Sequence, residues 1–134
     1  MAYQNSSALA QYQSNGAAGA ISDASPHRLI QLLLAGALDR LAQAKGGIQR
    51  GDRARKLHGI TKAVAIIEHL RLQLDFKGGG QIARNLDALY DYMLRRLPQA
   101  NAADDVVTID EVSGLLRDIK SAWDAIPQGR PGHH

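Results

Sequence analysis

The chain has 134 residues, 45% of them hydrophobic, with 16 Lys and Arg against 13 Asp and Glu and no cysteine. That length suits one domain, and the absence of thiols excludes a disulfide scaffold and thiolate chemistry. A net charge of +3 is too small an excess to mark a nucleic-acid-binding face, and neither a leader peptide nor a membrane-spanning run is visible. A cytosolic protein without membrane insertion is expected.

One Trp, one Phe and four Tyr leave most of the apolar content to Leu, Ile, Val and Ala, a mixture that suits helix packing. Residues 1–24 carry one charge, Asp23, and few large apolar anchors, and they read as a mobile arm. Ser25 followed by Pro26 combines an N-cap with a residue preset for the first helical turn. From there Ile30, Leu33, Leu34, Ala37, Leu41, Ala44 and Ile48 recur at helical spacing and predict a helix over 26–50.

Gly51 and Asp52 form a turn and a cap, after which Leu57, Ile60, Val64, Ile67, Leu70 and Leu74 predict a helix over 53–76. The Gly78, Gly79, Gly80 run lacks the flanking strand and Gly-Lys-Ser/Thr ending of a phosphate loop and is read as a helix-to-helix turn. A third stripe, Ile82, Leu86, Leu89, Tyr90, Met93 and Leu97, predicts a helix over 81–100, with a kink or early stop at Pro98. Thr108 with Glu111 has the form of a capping box and opens a helix over 109–126, before a tail at 128–134 that ends in two His residues. Short turns force antiparallel neighbours, so the expected fold is an all-α, antiparallel up-and-down four-helix bundle.

The sequence offers little for catalysis. Glu68 adjoins His69 instead of preceding it by three positions, so the metal-binding pair of helical bundles is missing. His58 and His69 are the candidates for the rival reading, a histidine phosphotransfer domain; Lys62 lies one turn after His58, but Gly59 and Ile60 follow that His where a Lys-Gly step is expected. No catalytic residue, metal or cofactor is expected.

Large apolar residues off the core stripes carry more information. Leu29 and Leu32, Ile66 and Leu72, and Tyr92 and Leu94 lie away from their stripe centres at about 100° per residue and call for a further partner, best an amphipathic segment. The arm, through Tyr3, Leu9 and Tyr12, is an expected occluding tenant of such a groove. An uncovered groove also favours a weak homodimer. A generic helical adaptor for a folded partner is the third reading.

Ser25-Pro26-His27-Arg28-Leu29-Ile30, Gly36-Ala37-Leu38, Lys62-Ala63 and Ile66-Ile67 form the first half of a recognisable ordered set. Asn85-Leu86, Leu89-Tyr90-Asp91-Tyr92-Met93, Arg95-Arg96-Leu97, Ala100-Asn101, Glu111-Val112 and Ala122-Trp123 complete it. Over residues 25–126 the chain resembles the FliS flagellin-specific export chaperones. The resemblance implies a helical bundle in the bacterial cytosol that binds the disordered C-terminal tail of flagellin, blocks premature polymerisation and serves the flagellar type III export apparatus. It implies no cofactor and no enzymatic activity. Partner contacts are expected at Tyr12, Ile66, Leu72, Tyr90, Met93 and Asn101, with Leu86, Leu89 and Trp123 serving the core. The sequence departs from the family pattern in its long Gly/Ala-rich stretch between Tyr12 and Ser25 and at Pro98.

Overall fold

The computed structural model describes residues 25–127. The arm, with Tyr3, Leu9 and Tyr12, and the tail at 128–134 lie outside the described residues. Four helices follow one another: α1 (Pro26–Arg50), α2 (Arg53–Leu72), α3 (Phe76–Ala103) and α4 (Val106–Asp124). α1 packs on α2 and α4, and α3 packs on the same two, which is the ring of a four-helix bundle. Opposite ends meet: Gln31 near the start of α1 donates to Asp124 at the end of α4 over 2.8 Å, so these helices run antiparallel.

Local chemistry sets the helix ends. Ser25 Oγ accepts from the Arg28 N–H at 3.1 Å, and Asp52 Oδ1 accepts from the Arg55 N–H at 3.0 Å, each satisfying a donor of the first turn. Gly51 closes α1 with φ +70°, in the left-handed region that costs glycine no Cβ clash.

Several boundaries differ from the sequence reading. The periodicity extends α2 to Phe76, yet α2 closes at Leu72, because Asp75 Oδ1 accepts from the Lys77 and Gly78 N–H groups and starts the next helix there. Gly80, at φ 51° and ψ −125°, then separates a single turn at Phe76–Gly79 from the long helix expected from residue 81. Pro98 does not stop α3, which runs on to Ala103 with Gly80 its only non-helical residue. A proline in a helix interior costs about 3 kcal/mol. Burial of Leu97 and Ala100 on the opposite face and the tether of Lys56 to the Asn101 carbonyl hold this turn in place.

α4 begins earlier than its apparent capping box. Asp105 is the N-cap, accepting from the Thr108 N–H at 3.2 Å and from the Thr108 hydroxyl at 2.7 Å. These bonds hold the Asp105 carboxyl below its usual range. Glu111 is thereby left for Tyr92, whose hydroxyl donates to its two oxygens at 2.9 and 2.8 Å across the α3–α4 seam.

The interior is aliphatic: Leu33, Leu34 and Leu41 of α1 meet Ile66, Ile67 and Leu70 of α2, Met93 and Leu97 of α3, and Ile109, Val112 and Leu116 of α4. Each such side chain contributes about 1.5–3 kcal/mol relative to exposure. α1 and α2 come closest. A Cβ on Gly59 would stand 2.6 Å from the Arg40 carbonyl oxygen and 2.7 Å from the Ala44 nitrogen, so only glycine permits this approach.

Candidate polypeptide-binding surface

The residues read as surplus on the helical wheels do not form one surface. Ile66 is 1% exposed and fills the core. Leu29 and Leu94 pack partly against the core, and Leu32 is half-buried. The Tyr92 ring lies under the Arg95 guanidinium at 5.9 Å while its hydroxyl is taken by Glu111. Of the six, Leu72 alone is widely exposed, at 67%. A 100° wheel ignores bundle geometry: with neighbours on two sides, a helix buries a face wider than one stripe.

A connected apolar groove of about 230 Å³ nevertheless opens at the end of the bundle where α1 starts and α4 ends. Ile30 of α1 and Ile119 and Trp123 of α4 form one wall. Gln73, Leu74, Asp75, Gly79 and Ile82 form the opposite lip, and Leu70, Ala83, Leu86 and Tyr90 the base. The lip is built by the glycine turn, where Gly79 presents little bulk, and Ile82 at its edge is 71% exposed. Sequence reading placed Ile82, Leu86 and Trp123 on core stripes. The signal that distinguishes them is their position at the ends of their helices, where a stripe outruns its cover.

The far wall is rigid. Trp123 Nε1 donates to the His27 carbonyl at 3.0 Å, and the two rings stack with centroids 5.0 Å apart. Asp124 accepts from Lys120 at 2.7 Å and from Gln31, and these bonds hold its carboxyl below the usual carboxylate range.

Tyr90 is a polar feature of the groove, beside Gln73 and Asp75 at its lip. The residue is 3% exposed, and burial pushes its phenol up to about 12. No residue among those described accepts a hydrogen bond from its hydroxyl. Of the other expected contacts, Met93 is fully buried in the core, and Tyr12 lies outside the described residues.

Asn101 sits in a separate polar hollow of about 630 Å³ between the start of α2 and the end of α3, lined also by Arg53, Lys56, Leu57 and Asp104. Its side-chain oxygen is buried without a hydrogen-bond partner. The hollow is larger than the groove, but a paired lysine and aspartate occupy its wall, so it offers a partner less apolar area to cover.

Among the described residues no cluster of His, Asp or Glu has the geometry to hold a metal ion. His58 is exposed, with Nε2 3.4 Å from Arg40 Nη1, whereas His69 is 8% exposed and meets the Gln73 side chain at 3.3 Å inside the bundle. Among the same residues no helix is long and apolar enough to cross a membrane.

Among the described residues the chain is an antiparallel four-helix bundle with an apolar groove open at one end, which places it in the class of all-α helical bundles. Comparison with known sequences makes this specific. A family model described as Flagellar protein FliS matches residues 8–130. The chain is 50% identical over 119 residues to the flagellar secretion chaperone FliSB of Pseudomonas aeruginosa, covering 89% of this chain and 94% of that protein. It is 46% identical over 114 residues to FliS of Vibrio cholerae, covering 85% and 82%, and 34% identical over 135 residues to FliS of Bacillus subtilis, covering 100% and 96%. The chain belongs to the FliS family.

Proposed function

We propose that this protein is a cytosolic export chaperone that binds the disordered C-terminal segment of flagellin, prevents its premature polymerisation and supports its delivery to the flagellar type III secretion apparatus. The observation that carries the reading is an apolar groove, left open by the described residues, on a bundle of the FliS family, whose relatives are named flagellar secretion chaperones. The protein acts by binding and carries out no catalysis.

The physics is coupled folding and binding. A disordered tail gives up about 2–5 kcal/mol or more in ordering and recovers it by burying on the order of 1,000–3,000 Å². The groove alone is too small for that, so the tail also crosses exposed apolar side chains outside it. Leu72 is the expected contact best placed to serve. Tyr90 serves from the groove. Ile66 and Met93 act from beneath, by shaping the helices that the tail crosses.

The test is a mixing experiment with the full chain and purified flagellin. A 1:1 complex that disappears when the flagellin C-terminal tail is removed supports the reading. Binding that survives the deletion points instead to a helical adaptor for folded flagellin, and no binding at all overturns the proposal.

A further inference from the structure

The charges of the chain are unevenly placed. Residues 40–62 hold seven Lys and Arg and one acid, Asp52, whereas the rest of the chain holds nine against twelve. Two of the seven are paired with other helices or their ends, Lys45 with Asp110 at 2.9 Å and Lys56 with Asp104 at 2.6 Å. Arg50, Arg53, Arg55 and Lys62 have no carboxylate partner among the described residues, and Asp52 is engaged in capping α2. The other such cations, Arg28, Lys77, Arg84 and Arg117, are spread over three helices.

The seam between α1 and α2 draws part of this charge together. Arg55 leans over α1, its Nε 3.8 Å from the place a Cβ on Gly46 would take, and Arg40 reaches over α2, its Nη1 3.4 Å from His58 Nε2. Two guanidinium groups thus cross one seam from opposite sides, an arrangement that favours an anion between them. Arg50 ends α1 about 15 Å along the axis from Arg40. Beyond Arg40, Asp39 and Lys62 offset one another in charge and end the strip.

The strip selects its anion by length. A guanidinium fork pairs with carboxylate or phosphate alike. Past a strip of about 15 Å, however, the chain carries more acid than base, so an extended polyanion such as duplex DNA or a lipid surface gains at the strip and is repelled beyond it. Residues 40–62 also contain no Phe, Tyr or Trp on which bases could stack. Their only widely exposed large apolar side chain is Leu57, too little to enter a bilayer. A short row of carboxylates meets none of these objections.

We propose that the outer α1–α2 seam, through Arg40, Arg50 and Arg55, is a docking surface for a short acidic segment of a partner protein. Arg50 and Arg55 lie at the end of the bundle opposite the apolar groove, so both surfaces can be occupied at once. The inference does not depend on what fills the groove.

The test uses the full chain and a fluorescent helical peptide with Glu residues along one face, measured by anisotropy, beside duplex DNA and phosphatidylglycerol vesicles. Wild type should bind the peptide, and more weakly as salt is raised. Arg50→Glu with Arg55→Glu should weaken binding about tenfold. Arg84→Glu with Arg117→Glu makes the same change of net charge at other exposed positions and should stay within about twofold of wild type. Should the glutamates disturb the last turn of α1, seen as a lowered melting temperature, Arg50→Gln with Arg55→Gln should still give a smaller loss in the same direction. No binding by wild type overturns the proposal. So does an equal loss in both charge-reversed pairs, which marks diffuse attraction, or tighter binding of DNA or vesicles than of the peptide. Salt-sensitive self-association of wild type that Arg50→Glu with Arg55→Glu abolishes assigns the seam to acidic residues of a second copy and overturns it as well.

Discussion

Lys56 Nζ lies 2.6 Å from Asp104 Oδ1 and 3.0 Å from the carbonyl oxygen of Asn101, fastening the start of α2 to the last turn of α3. Lys56 is 8% exposed, so its stem is packed while its ammonium closes off a helix end. The Asp104 side chain is 62% exposed, which leaves the ion pair itself strongly screened. The carbonyl bond and the packed stem dominate. Lys56→Ala is therefore expected to destabilise the bundle by about 1–3 kcal/mol in urea denaturation, with Lys56→Met recovering part of the loss.

Two glycines that look alike in sequence should respond in opposite directions. Gly59→Ala places a methyl group 2.6 Å from a backbone oxygen of α1, and the helices must separate, at a cost of about 1–3 kcal/mol. Gly114 lies inside α4 with nothing within 4 Å of an added Cβ. Gly114→Ala should stabilise by about 0.4–1 kcal/mol through the lower entropy of the unfolded chain. Paired thermal melts check both signs.

The bundle should lose stability in acid. Asp91, held by Arg95 and then Arg71, Asp105, held by Thr108, and Asp124, held by Lys120 and Gln31, all have carboxyls below their ordinary value. A folded-state value below the unfolded one contributes stability that is complete above the ordinary carboxylate range and is lost as pH falls through the depressed value. Urea midpoints should thus decline from pH 5 to pH 3. Asp105→Asn keeps a good cap but does not titrate, so its decline should be shallower than that of wild type.

Leu72→Ser tests the exposed part of the proposed interface. At 67% exposure the side chain contributes little to folding, and unfolding free energy should stay within about 0.5 kcal/mol of wild type. Flagellin affinity should fall. Unchanged affinity removes Leu72 from the contact set.

Salt separates an apolar interface from an electrostatic one. Arg95 already pairs with Asp91 at 2.9 Å, and Arg96 donates to Thr108 at 2.9 Å, so in the proposed interface these cations are expected to lend register more than affinity. Raising sodium chloride from about one to five times physiological ionic strength should change the flagellin dissociation constant only slightly, whereas a steep loss would place charge at the centre of the interface.

The sequence by itself determined the number of helices, the start of α1 at Ser25-Pro26, the antiparallel order and nearly all of the buried stripe, because helical periodicity, caps and short turns are local and agree with one another. Its ordered motifs also carried the family resemblance that the comparisons establish. Only the tertiary structure decided that α3 survives Pro98, that Asp105 instead of Thr108 caps α4, and that Ile66 is core while Ile82 is a rim. Each turns on what a neighbouring helix covers: Leu97 and Ala100 anchor the proline turn, while past Gly80 the third stripe reaches the open end of the bundle, where α1 has only begun and α4 is ending. A side chain's distance from the centre of its own stripe is a property of one helix, but exposure belongs to the whole bundle.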